Sequence, residues 1–264
     1  LTALALTVLP ATANTLVDLE LVLAVDVSMS MDLDEQRLQR NGYVEAMRDP
    51  DVIRAIASGP QGRIAVTYVE WAGDGIQKVI VPWRLLARPA DAKRFSEELA
   101  AQPISRARRT SISSAILYAS TLFGKDGRQA LRRVIDVSGD GPNNAGIPVL
   151  TAREQVLKKG IIINGLAIQL KQSSFARFSY FDLENLDSYY KDCVIGGPGS
   201  FALSVRKTSE FATAIRKKLL LEIPGSQPAR GHGLVIKAQF SSQPPRVDCE
   251  VGEKRWRQFW QDQE

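Results

Sequence analysis

Asp26, Ser28 and Ser30 are the residues whose types and spacing most directly suggest chemistry. A carboxylate and two hydroxyls alternate within Asp26-Val27-Ser28-Met29-Ser30, and Asp32, Asp34 and Glu35 follow closely. Donors that are all oxygen, two of them neutral, suit a hard cation such as Mg2+ better than zinc or copper. Enzymatic readings of the same residues find less support. Asp26 as an aspartyl-phosphate nucleophile lacks a second acid two residues on, where Ser28 stands, and no phosphate-handling lysine is identifiable. His232, the lone histidine, lies in a glycine-rich stretch with no evident nucleophile or acid partner, so acyl transfer has no support. Neither a Walker A motif nor a dinucleotide fingerprint is present.

The elements that must position these residues are legible as patterns. The apolar run Leu19 to Val25 reads as a buried strand whose end carries Asp26. Open α/β sheets place ligands at the carboxyl ends of such strands. Asp32-x-x-Glu35 is a capping box opening a helix through about Ser58. Capping and dipole complement account for Asp32 and Asp34, the alternative being a second cation site. Arg63 to Trp71 is a strand, Gly73-Asp74-Gly75 a turn, and Ile76 to Val81 an antiparallel edge strand before Pro82. Glu70, at its strand's end, reads as a local structural acid, or else as an acid behind the metal loop. A helix over Asp91 to Ala101 precedes a polar loop, and Ser111 to Phe123 is an amphipathic helix with Thr110 as its N-cap. Arg133 to Ser138 is a strand containing Asp136, a carboxylate that needs a partner if buried. Gly141 to Gly146 is a turn-rich loop; Pro148 to Lys159 is a helix and Ile161 to Leu170 an apolar strand. A short strand over Phe201 to Arg206 and a closing helix over Ser209 to Glu222 complete a right-handed βαβ array. The expected fold class is α/β, a Rossmann-like, doubly wound, mostly parallel sheet with one antiparallel edge strand and flanking helices.

The Asp26 to Ser30 segment resembles the first segment of the metal-ion-dependent adhesion site of von Willebrand factor A domains. That pattern also uses a threonine on a second loop and an aspartate on a third. Thr110, in Arg108-Arg109-Thr110-Ser111, and Asp140, after Val137-Ser138-Gly139, stand at those places. The resemblance covers roughly residues 17–221. In Gln39 to Tyr43, Val69-Glu70-Trp71, Asp136 to Asn144 and Cys193 to Gly199 it is similar to an exported bacterial branch of that superfamily with no assigned activity. It implies a site of Asp26, Ser28, Ser30, Thr110 and Asp140 holding Mg2+, or Mn2+ or Ca2+. Ser28 and Ser30 would ligate directly, some of the others through water. It further implies a binding module rather than an enzyme, with an Asp or Glu of a protein partner as the last ligand. A metal-independent scaffold and a metal-dependent phosphohydrolase are the alternatives.

Composition bounds the rest. With 264 residues, 44% of them hydrophobic, the chain can bury one large α/β domain and a small extension. The expected division is 1–13, 14–223 and 224–264. Leu1 to Pro10 followed by Ala11-Thr12-Ala13 reads as the tail of a secretory signal peptide whose initiating Met and charged start are missing. The alternative is an ordinary buried terminal element. Export to a bacterial periplasm or exterior is the expectation. No later stretch is long and apolar enough to span a bilayer. The formal charge of +5 is spread out, without a nucleic-acid-binding motif. Arg106, Arg108 and Arg109 form either a solvated loop or a lure for an acidic partner. Cys193 and Cys249 either form one disulfide or stand as separate thiols. Phe175, Phe178, Tyr180, Phe181, Tyr189 and Tyr190 are read as packing residues or as a recognition surface. Leu234 to Phe240 suggests a strand. Trp256, Phe259 and Trp260 share one face of a short tail helix, either packed on the main domain or free to dock a partner or membrane surface. The sequence carries no signature of oligomeric state.

Overall fold

The strand β1 (Leu16–Asp26) runs through the middle of the molecule, and all but its first residue are buried. Its alternation feeds two separate cores. Leu19, Leu21, Leu23 and Val25 pack into one, Val22 and Ala24 into the other. A strand covered on both faces has little room for polar residues, which is why this run reads as nearly continuous apolar sequence. The computed structural model describes residues 15–125, 127–170, 183–224 and 247–261.

Six strands form one sheet in the order β3-β2-β1-β4-β5-β6. They are β1, β2 (Ile64–Trp71), β3 (Gln77–Leu86), β4 (Gln129–Gly139), β5 (Ile162–Ile168) and β6 (Ala202–Val205). All neighbours pair parallel except β2 with β3. The first core packs α1 (Leu33–Arg48), α2 (Pro50–Ala57), α3 (Pro89–Ala100) and α7 (Phe211–Glu222) on one face. The second packs α4 (Ile112–Ser120), α5 (Val149–Leu157), α6 (Leu186–Tyr189) and a π-helical turn over Tyr190–Val194 on the other. An eighth helix, α8 (Val251–Gln261), follows a disulfide between Cys193 and Cys249. This is the doubly wound α/β architecture expected from the sequence.

The strand order places the functional end. From β1 the chain winds outward through β2 and β3, then returns to β4 on the other side of β1 and winds out through β5 and β6. The reversal lies between β1 and β4, and crevices at such switch points are where open α/β sheets bind ligands. The register pairs Val25 with Ser138, so Asp26 leaves β1 where β4 ends and Asp140 begins the next loop.

Several elements depart from expectation for local reasons. The helix expected to reach Ser58 is broken at Asp49-Pro50. A residue before proline is pushed out of the helical region, and Asp49 is extended, its carboxylate capping α2 through the amides of Asp51 and Val52. β3 continues past Pro82 to Leu86. On an edge strand a missing amide need not break the ladder, and a register shift in the pairing with β2 absorbs the irregularity. Ser111, not Thr110, caps α4, its hydroxyl accepting from the amide of Ser114. The signal-peptide reading of residues 1–13, the strand over 234–240, His232, Phe175, Phe178, Tyr180 and Phe181 lie outside the described residues.

Candidate metal centre

Asp26 ends β1 and is completely buried. The amide of Ser28 donates to Asp26 Oδ1 at 2.7 Å, turning the chain back over the strand end. Ser28 Oγ and Ser30 Oγ are 2.8 Å apart, and Ser30 Oγ donates to Asp140 Oδ1 at 2.8 Å. Four of the five residues named from the sequence are therefore brought together by direct contacts and by charge coupling between Asp26 and Asp140. Thr110, on the second loop, approaches the third loop at Gly141. Its hydroxyl lies 3.9 Å from where a side chain on Gly141 would begin, next to Asp140.

The three loops are fastened to one another through the backbone. The amide of Ala107 donates to Val27 O at 3.0 Å, in a parallel bridge between Ser28 and Ala107. Asn144 holds Thr110 twice, its Oδ1 accepting from the Thr110 amide at 3.0 Å and its own amide donating to Thr110 O at 2.8 Å. Asn143 Oδ1 accepts from the Ser113 amide at 3.0 Å. From α1, Gln36 and Gln39 donate to the carbonyls of Ser28 and Asp26 at 3.2 and 3.1 Å. Arg106 donates to the carbonyls of Met29 and Met31, so its guanidinium braces the first loop.

The electrostatics are unusual at one point. Burial, and then the charge of Asp140, push the Asp26 carboxyl well above its ordinary range, against the donors of Ser28. Among the described residues Asp26 Oδ2 has no hydrogen-bond partner, and no basic side chain forms an ion pair with Asp26. The described residues contain no cluster of three or more His, Cys, Asp or Glu suited to a metal. The donor set here is different: two carboxylates and three hydroxyls. Such a set fits a hard cation, which takes oxygen and tolerates neutral ligands.

Other acids resolve as structural. Asp32 accepts from the amides of Asp34 and Glu35 in a complete capping box, and Asp34 pairs with Arg37. Glu70 is ion-paired with buried Arg40 and accepts from Ser105. Asp136 contacts Lys218 of α7, with both side chains buried. Of the basic loop, Arg108 is exposed. Arg109 adopts a left-handed backbone (φ 70°), and its guanidinium lies 4.2 Å over the ring of Trp256 while donating to Asn144 O.

Two sets of residues read from the sequence as packing have partners at the site that the sequence reading did not give. The tail helix α8 packs on the third loop: Asn143 Nδ2 donates to Glu253 Oε1 at 2.7 Å, and Gly252 sits so close to Asn143 O that any side chain would collide. Tyr189 and Tyr190 are fully buried, not a surface. Tyr189 OH accepts from the Asn143 amide at 3.1 Å and donates to Cys249 O at 3.4 Å. The Tyr190 hydroxyl lies beside Asp26, and burial followed by that charge keeps it protonated far above the ordinary tyrosine range. Buried glutamines at i and i+3 on α1 were the available signal for Gln36 and Gln39. Nothing local marks Tyr190.

A family described as "Protein of unknown function (DUF1194)" matches residues 16–227. No curated protein sequence matches the chain. Solved structures similar to it include proximal thread matrix protein 1 from the mussel byssus with a zinc-occupied MIDAS motif (TM-score 0.52, 14% identity, covering 80% of this chain and 48% of that one). The pilus adhesin SpaC from Lactobacillus rhamnosus GG, in its open conformation, gives a TM-score of 0.55 at 12% identity over 78% of this chain and 30% of its own. A von Willebrand factor type A structure from Catenulispora acidiphila gives 0.53 at 12% identity over 79% and 43%. The chain spans about half of the first of these proteins and less of the other two. At such identities the likeness establishes the fold, that of a von Willebrand factor A domain.

Proposed function

Because the chain belongs to the DUF1194 family, whose description assigns no activity, we propose a role from the site itself: a divalent-cation-dependent, adhesion-type protein-binding module. Asp26, Ser28, Ser30, Thr110 and Asp140 are the residues that would hold Mg2+, Mn2+ or Ca2+. With few anionic ligands a bound cation keeps net positive charge and can accept an Asp or Glu carboxylate from a protein partner. The observation that carries this reading is Asp26: a completely buried carboxylate beside a second carboxylate, Asp140, with no ion pair to a basic side chain among the described residues. The charged form of such a carboxylate is costly to bury, which is what pushes its pKa up. An external cation offsets that cost.

The pilus adhesin and the zinc-occupied MIDAS protein among similar structures support the reading by fold. The Cys193–Cys249 disulfide supports a place outside the reducing cytoplasm. No helix among the described residues is long and apolar enough to cross a membrane. The test is calorimetric titration of MgCl2 or MnCl2 into EDTA-treated protein. Wild type gives saturable binding that Asp26→Ala abolishes. Indistinguishable heats from the two proteins would reject the site and favour the metal-independent scaffold.

A further inference from the structure

Tyr190 occupies a slot that the sheet has to make for it. The side chain crosses from Gly165, midway along β5, to Gly139 at the end of β4. A Cβ on Gly165 would lie 2.7 Å from Tyr190 Cδ1, and a Cβ on Gly139 would lie 2.8 Å from the Tyr190 hydroxyl. The same Cβ on Gly139 would lie 2.9 Å from Asp26 Oδ2. The slot therefore opens onto the outer oxygen of Asp26, with only the Gly139 backbone at its floor.

Both groups at the mouth of this slot are buried polar atoms without a hydrogen-bond partner: Tyr190 OH and Asp26 Oδ2. A phenylalanine would fill the apolar part of the slot equally well. A buried hydroxyl left without a partner is destabilising, so the oxygen calls for a role. The backbone is also special here. α6 widens into the π-helical turn Tyr190–Val194, a distortion frequent at functional sites. That turn is locked by the disulfide from Cys193 to Cys249. Tyr190 is thus held from behind by a covalent bond and presented to Asp26.

We propose that Tyr190 is a positioning residue of the cation site, its hydroxyl donating to Asp26 Oδ2 in the cation-bound state, so that both carboxylate oxygens are then oriented. Oδ1 already accepts from the amide of Ser28. A neutral donor suits this task better than an ammonium or guanidinium. It fixes the carboxylate without supplying a positive charge that competes with the cation. The inference rests on the cation reading given above.

The experiment compares wild type, Tyr190→Phe and Tyr43→Phe. Tyr43 is the comparison for loss of a nearby buried hydroxyl, since it packs in the opposite core beside Ser138 of β4, within electrostatic reach of Tyr190. Mg2+ affinity is measured calorimetrically on EDTA-treated protein, and unfolding midpoints are measured without cation. Tyrosine ring-carbon NMR follows the Tyr190 resonance, identified by its loss in Tyr190→Phe, through a Mg2+ titration. The expected result is Mg2+ binding about tenfold weaker in Tyr190→Phe, equivalent to about 1.4 kcal/mol, with Tyr43→Phe unchanged. The unfolding midpoint of cation-free Tyr190→Phe does not fall, and the wild-type Tyr190 resonance moves with Mg2+ saturation. Binding by wild type that Tyr190→Phe leaves within twofold, or a Tyr190 resonance that ignores Mg2+, overturns the role of Tyr190 alone. Absence of saturable binding by wild type overturns the cation reading and this role with it.

Discussion

Two buried aspartates on neighbouring strands, Asp26 of β1 and Asp136 of β4, are treated in opposite ways. Asp136 is met by Lys218 from α7, and Glu222 stands 3.4 Å from the same ammonium. Glu222 in turn accepts from Asn164 at 3.2 Å. Asp26 is met by the amide and hydroxyl of Ser28, the amide of Asp140 and the negative charge of the Asp140 carboxylate. The first arrangement also describes the other deep acids. Glu20 lies 3.4 Å from Arg133, Glu70 pairs with Arg40, and Asp18 accepts from the amides of Gln61 and Arg63. Among the described residues these structural acids have a basic partner or several amide donors, whereas Asp26 has donors, a second carboxylate beside it and no ion pair. Local rules are broken at functional sites more than elsewhere, and Asp26 is where two carboxylates are brought together.

The comparison is broken most severely at Lys218. Lys218→Met strands Asp136 and Glu222 in the core, and stability falls by about 3–5 kcal/mol, read as a lower midpoint in urea. Replacing Asp136 by Leu in the same chain restores much of the loss. Lys218 also sets a pH dependence. Burial depresses its ammonium to about 8, against an ordinary 10.5. Between those values the unfolded chain holds the proton and the folded chain does not, so stability rises with pH from about 8 toward 10. Above that, the buried tyrosines oppose the trend, because their hydroxyls titrate more easily once unfolded. In Lys218→Met the rise disappears.

Next in size is the disulfide. Cys193→Ser with Cys249→Ser removes a covalent link whose stabilisation is typically about 2–4 kcal/mol. The loss sharpens the contrast because it reaches only one region. Without the link α8 holds Asn143 less firmly, and Mg2+ affinity falls while the urea response of the Asp136 cluster keeps its pH dependence. The smallest effect belongs to Asp32. Asp32→Ala removes the cap of α1 and lowers stability by about 1 kcal/mol, with Mg2+ affinity unchanged in calorimetry. A weakened affinity would make Asp32 part of the site after all.

Much of this contrast was legible from residues alone, and the illegible part has a common cause. The apolar run into Asp26, the hydroxyls beyond it and the strand holding Asp136 are local patterns. Asp136 even announced its need for a partner, but Lys218 lies on a helix far along the chain, and no period or spacing links them. The same holds for Tyr190, whose slot depends on Gly139 of β4 and Gly165 of β5 lying two register positions apart on neighbouring strands. The break at Asp49-Pro50 was a local signal outweighed by helical periodicity on both sides. The assignment of the α4 cap turned on one residue, since Thr110 and Ser111 are equally able caps in sequence. Giving that task to Ser111 leaves Thr110 facing Gly141 and Asp140.

The central claim is that Asp26 is a burden to the empty fold and an asset to the cation-bound one. Unfolding free energies of wild type and Asp26→Asn, each in EDTA and in saturating MgCl2, test it directly. The account predicts a reversal of rank: the asparagine variant is the more stable protein in EDTA, and wild type is the more stable in Mg2+. Wild type more stable than the variant in EDTA, with no further gain on adding Mg2+, would contradict it.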